Sequence, residues 1–83
     1  MTTDDDRIAT TLLEMARDRA ESSFCPSEAA RKLDPADWRP LLPQVRRVAG
    51  RLQRDGLIRA TQAGKAVDAL AAKGPIRLSR PMH

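Results

Sequence analysis

The stretch PLLPQVRRVAGRLQRDGLIRATQ, residues 40–62, decides the fold. Its first part reads as an amphipathic helix. Leu41, Leu42, Val45, Val48, Ala49 and Leu52 cluster on one face at 100° per residue. The opposite arc holds Arg46, Arg47, Gly50, Arg51, Gln53 and Arg54, and Gln44, Arg47, Arg51 and Arg54 form one continuous strip. The helix starts between Pro40 and Pro43 and stops at Asp55-Gly56, a glycine stop. The period then changes to two. Leu57-Ile58-Arg59-Ala60-Thr61-Gln62 reads as a strand with Ile58 and Ala60 inward and Arg59 and Thr61 outward.

Downstream, Ala63-Gly64-Lys65 marks a turn. Residues 68–75 predict one or two helical turns, capped by Asp68 and stopped by Gly74-Pro75. Ile76-Arg77-Leu78-Ser79-Arg80 predicts a second strand, antiparallel to the first, with Ile76 and Leu78 inward. Upstream, Cys25-Pro26-Ser27-Glu28 predicts a helix start, with Cys25 at the N-cap, Pro26 at N1 and Glu28 at N3. This second helix ends near Leu33, because the residue before Pro35 disfavours helix. Ser22-Ser23-Phe24-Cys25 is read as a strand of two or three residues. The first helix is expected from about Asp4 to Glu21, capped by Thr3, with Ile8, Leu12, Met15, Ala16 and Ala20 on its apolar face. The connector 34–40 holds Trp38, expected to seal the junction of helices 2 and 3.

The expected fold is α+β, mainly α: a winged helix-turn-helix of three helices plus a β-hairpin wing. One domain spans 1–83, with its core at about 8–80. The apolar share of 41% includes 13 alanines, so the bulky set is only 20 residues. That suits three short helices and a small sheet, and it does not suit a deep aromatic-lined pocket. A lone Cys excludes an internal disulfide. One His and one Cys, with no CxxC or HxxxH spacing, provide no metal set. No apolar run has the length of a membrane span, and the start at Met1-Thr2-Thr3-Asp4-Asp5-Asp6 lacks the order of a signal peptide. A cytoplasmic, non-enzymatic protein with no cofactor, metal or membrane partner is expected; oligomeric state stays open.

The charge of +4 hides an asymmetry. Residues 1–37 carry nine acids and five bases, for −4; residues 38–83 carry two acids and ten bases, for +8. A polyanion-facing half is the expectation. In a winged helix the third helix can enter a DNA major groove, while the hairpin tip reaches the backbone or minor groove. The expected nucleic-acid contacts are Gln44, Arg46, Arg47, Arg51 and Arg54 on helix 3, Lys65 at the wing tip, and Arg59 and Arg77 on the outer sheet face. The expected partner is double-stranded DNA; the alternative is an acidic protein docked on the arginine face. The competing outcome is a solvated arginine face partly paired with acids of helix 1. Single-stranded nucleic acid is disfavoured, since stacking needs aromatics and only Phe24 and Trp38 are present. Cys25 is read as a structural cap, with no resolving Cys for a redox role, and Asp4, Asp5 and Asp6 as helix-start acids.

Phe24-Cys25-Pro26-Ser27-Glu28-Ala29-Ala30-Arg31, Trp38-Arg39, Val45-Arg46, Thr61-Gln62-Ala63-Gly64-Lys65, Val67-Asp68 and Gly74-Pro75-Ile76-Arg77-Leu78 together resemble a family of small bacterial proteins of unknown function, DUF3253. The resemblance runs from about Ile8 to Arg80. It implies a winged-helix-like fold in a bacterial cytoplasm and no activity.

Overall fold

The computed structural model describes residues 4–19 and 22–81. Helix α1 runs Asp5–Asp18. Its cap is Asp4, whose carboxylate accepts the Arg7 N–H at 2.8 Å, one residue later than the expected Thr3. A carboxylate at the N-cap satisfies an orphan donor and faces the positive end of the helix dipole. The helix stops at Asp18, short of the expected Glu21, and the Ser22 N–H closes a turn on the Arg19 carbonyl at 2.7 Å. Ile8, Leu12, Met15 and Ala16 form its buried stripe; Thr3, Ala20 and Glu21 lie outside the described residues.

Helix α2 runs Pro26–Leu33 with Cys25 at the N-cap. The Glu28 carboxylate reaches back to accept the Cys25 N–H at 2.8 Å. That bond, then the Arg19 guanidinium 3.0 Å from the carboxylate, holds Glu28 below its ordinary pKa against partial desolvation. Phe24 is fully buried and makes one antiparallel bridge to Leu78 in place of the short strand expected at 22–25. A 3-10 turn at Arg39–Leu41 leads into α3, Leu42–Arg54. Gly56, at φ 75°, ends α3 in a Schellman motif: its N–H bonds Gln53 O at 3.0 Å, and the Leu57 N–H bonds Leu52 O at 2.9 Å.

Strands β1 (Arg59–Gln62), β2 (Lys65–Ala66) and β3 (Arg77–Ser79) form an antiparallel sheet in the order β2-β1-β3. β1 pairs β3 through Arg59↔Ser79, Ala60↔Leu78 and Thr61↔Arg77, the hairpin arms expected from the sequence. β2 is an addition. It folds back on β1 across a two-residue turn, Ala63-Gly64, with φ of 52° and 82°. Both positive φ values match the right-handed twist of the strands. The expected helical turns at 68–75 reduce to a single turn, with Ala72 N–H on Asp68 O at 2.9 Å and the Asp68 carboxylate accepting the Leu70 N–H at 2.8 Å.

The resulting α+β layout, three helices plus a three-stranded antiparallel sheet, is consistent with a winged helix. The core lies between the helices and the inner sheet face, where Ile8, Leu12, Phe24, Val45, Val48, Ile76 and Leu78 are fully buried. Among the described residues no polar or charged residue is buried, so whatever chemistry this domain offers lies on its surface. Also among the described residues, no helix is long and apolar enough to cross a membrane.

Candidate nucleic-acid interface

Around α3 the arginine-rich arc divides into three parts. Val45, Val48, Ala49 and Leu52 turn to the core. Arg46, Gly50 and Gln53 form a stripe beside that face, and it carries the wing. The Arg46 guanidinium donates to Ala72 O at 2.8 Å and also to Gly74 O. Gln53 donates to Val67 O at 2.6 Å and accepts the Ala69 N–H at 2.9 Å. Gly50 is buried, and a Cβ there would stand 3.3 Å from the Leu70 Cβ. The stripe expected to face solvent is therefore a seat for residues 67–74. Arg46 donates to wing carbonyls, and Gly50 lies against the Cβ of Leu70 on the wing.

The second part borders α1. The Asp5 carboxylate accepts from Gln44 Nε2 at 2.8 Å and from the Arg47 guanidinium at 3.2 Å. The Gln44 bond, then the Arg47 charge with a smaller contribution from Arg51, holds Asp5 below its ordinary pKa against partial desolvation. The competing outcome, pairing with helix-1 acids, thus holds for Gln44 and Arg47. Both partners remain accessible, with 60% of the Arg47 and 37% of the Asp5 side chain exposed.

The third part is open. Arg51 and Arg54 are exposed and make no hydrogen bond or ion pair among the described residues. Arg54 lines a shallow groove with Gly50, Gln53, Asp68 and Leu70, so the open face continues onto the wing.

The sheet residues divide as well. Lys65 is exposed at the start of β2, beside the hairpin turn. Arg59 stands on the outer face opposite Ser79. Arg77, also expected to contact nucleic acid, donates to Ser23 Oγ at 2.9 Å and Ser23 O at 2.7 Å. Its position beside the Phe24–Leu78 bridge brings it over that segment. Gln62 was not singled out in the sequence, yet it donates to Lys73 O at 2.6 Å and Pro75 O at 3.1 Å. With Arg46 and Gln53 it makes a polar clasp that fixes the wing. Trp38 is half-buried against the core, and two exposed guanidiniums, Arg31 and Arg39, share its ring at 4.5 and 4.7 Å. Cys25, the N-cap residue of α2, has its Sγ 2.9 Å from Ser27 Oγ within the helix start.

Residues 5–81 match the model of a family described as "Protein of unknown function (DUF3253)". The chain belongs to the DUF3253 family. Among curated proteins nothing matches. The match takes in every element of this DUF3253 fold, including Asp5, the α3 arginines and the wing.

Proposed function

We propose that the domain binds double-stranded DNA, with Arg51 and Arg54 of α3 and Lys65 of the wing on the phosphate backbone and Arg59 at the flank. The observation that carries this reading is the open part of α3: two exposed arginines that make no hydrogen bond or ion pair among the described residues, on the outward face of the third helix, next to a wing held in place by three side chains. In a winged helix that face enters the major groove. Guanidiniums there take phosphate oxygens or, bidentately, guanine O6 and N7. The basic half of the chain, residues 38–83, supplies all of these residues. A bacterial cytoplasmic location goes with this reading, since the duplex is there.

A second reading has one observation of its own. Leu70 is 60% exposed on the wing, in the same groove as Arg54. A large apolar side chain beside a cation fits an acidic protein partner better than a phosphate backbone. Fluorescence anisotropy with a labelled duplex at about 50 mM salt decides between them. Saturable binding at micromolar protein supports DNA. No binding to duplex, with nuclease-resistant recovery of one stoichiometric acidic protein, transfers the arginine face to the second reading.

A further inference from the structure

We infer that Asp5 is an intramolecular competitor for the DNA backbone: its carboxylate occupies the polar ends of Gln44 and Arg47, and so confines the duplex to the C-terminal half of α3 and the wing. The inference rests on the duplex-DNA reading above and names which part of that face is open.

Three observations carry it. A carboxylate and a phosphate diester offer a guanidinium the same chemistry, anionic oxygen acceptors, so one excludes the other from the same donors. Asp5 takes both donors at once, from residues 39 and 42 positions away in the chain. The contact is also peripheral to the fold. The α1 helix is anchored by Ile8, Leu12, Met15 and Ala16, all buried, while the Asp5–Arg47 pair is exposed and exchanges readily with solvent ions. The other two first-turn acids differ. Asp4 is used as the helix cap, and Asp6 is exposed and makes no hydrogen bond or ion pair among the described residues. Among the described residues, Asp5 is the α1 acid that bonds the strip.

The experiment measures duplex affinity against salt for the full chain and for Asp5→Asn, Asp6→Asn, Arg47→Ala and the Asp5→Asn/Arg47→Ala double variant. Asp5→Asn frees Arg47 for one more phosphate. Its log–log salt slope should steepen by about 0.9, and its affinity should rise about eightfold at ~0.1 M salt. Asp6→Asn makes the same change in net charge and should leave the slope unaltered. Arg47→Ala should cost little in the native background and abolish the gain in the Asp5→Asn background. Thermal melts confirm that each variant is folded, and Asp5→Ser, with the same expected gain, replaces Asp5→Asn if that variant is not. The inference is overturned if Asp5→Asn does not tighten binding, if Asp6→Asn matches it, or if Arg47→Ala already costs the native chain a full contact. In those cases the native chain still binds duplex and the DNA reading stands. If neither the native chain nor Asp5→Asn binds duplex, both readings fall. If only Asp5→Asn binds, the native chain is not a duplex binder, and the confinement inferred for it falls together with the reading it rests on.

Discussion

Replacing Arg46 with alanine separates a wing clasp from a nucleic-acid contact. The native guanidinium satisfies two wing carbonyls, Ala72 O and Gly74 O, one part-buried and one exposed. Hydrogen bonds from charged donors contribute about 1.5–3 kcal/mol when desolvated. Solvent competition at this surface lowers the total for the two bonds to about 1–3 kcal/mol. In a domain of this size about 2 kcal/mol corresponds to a fall in Tm of roughly 8–16 °C. Calorimetry or a circular-dichroism melt reads that change. Arg46→Lys should recover only part of the loss, because an ammonium cannot reproduce the planar two-pronged geometry. Arg51→Ala, at an exposed position with no hydrogen bond or ion pair among the described residues, should move stability by under about 0.5 kcal/mol. Amide exchange should localise the Arg46→Ala effect to residues 67–76. The reasoning is refuted if Arg46→Ala melts like the native chain and instead lowers the salt slope of duplex binding by about 0.9, the behaviour of a phosphate contact.

Other substitutions test single features. Gly50→Ala sets a helix-propensity gain of about 1 kcal/mol against a 3.3 Å approach to Leu70 Cβ. Leu70 lies on an exposed loop that can give by tenths of an ångström, so urea titration should show a neutral to slightly stabilised protein, whereas Gly50→Leu should lift the wing and destabilise it. Ala63→Gly should stabilise by about 1 kcal/mol in the same assay, since Ala63 sits at φ 52° where a Cβ is strained. Acid should weaken the fold through Glu28. Its pKa is lowered in the folded state, so its contribution is present above the ordinary carboxylate range and is lost as pH falls through the folded value. Glu28→Gln keeps an acceptor for the Cys25 N–H and should flatten the decline in Tm between about pH 5 and about pH 2.

The parts of this fold written in local chemistry were readable from the chain. The Cys25-Pro26-Glu28 helix start, the Gly56 stop and the inward Ala60 and Leu78 all depend on neighbours within a few residues or on a period of two or 3.6. The side chains whose intramolecular bonds the sequence did not reveal have distant partners. Arg46 reaches carbonyls 26 and 28 residues away, and Arg77 reaches back 54 residues to Ser23. A positive charge on an outward arc looks the same in sequence whether it meets solvent, a carbonyl or a phosphate. Gly50 carried the one local hint, since a glycine in mid-helix costs stability unless something packs against it. Asp5 carried none, because three consecutive acids at a helix start are explained by the dipole alone. The two residues of β2 are too few for any period to register.

The salt dependence of duplex binding by the native chain and by Arg51→Ala/Arg54→Ala tests the central claim most directly. With Arg51, Arg54 and Lys65 on phosphates, the native slope should be near −2.7, and the double variant should fall to about −0.9. A native chain that does not bind duplex at about 50 mM salt, or a double variant that keeps the native slope, contradicts it.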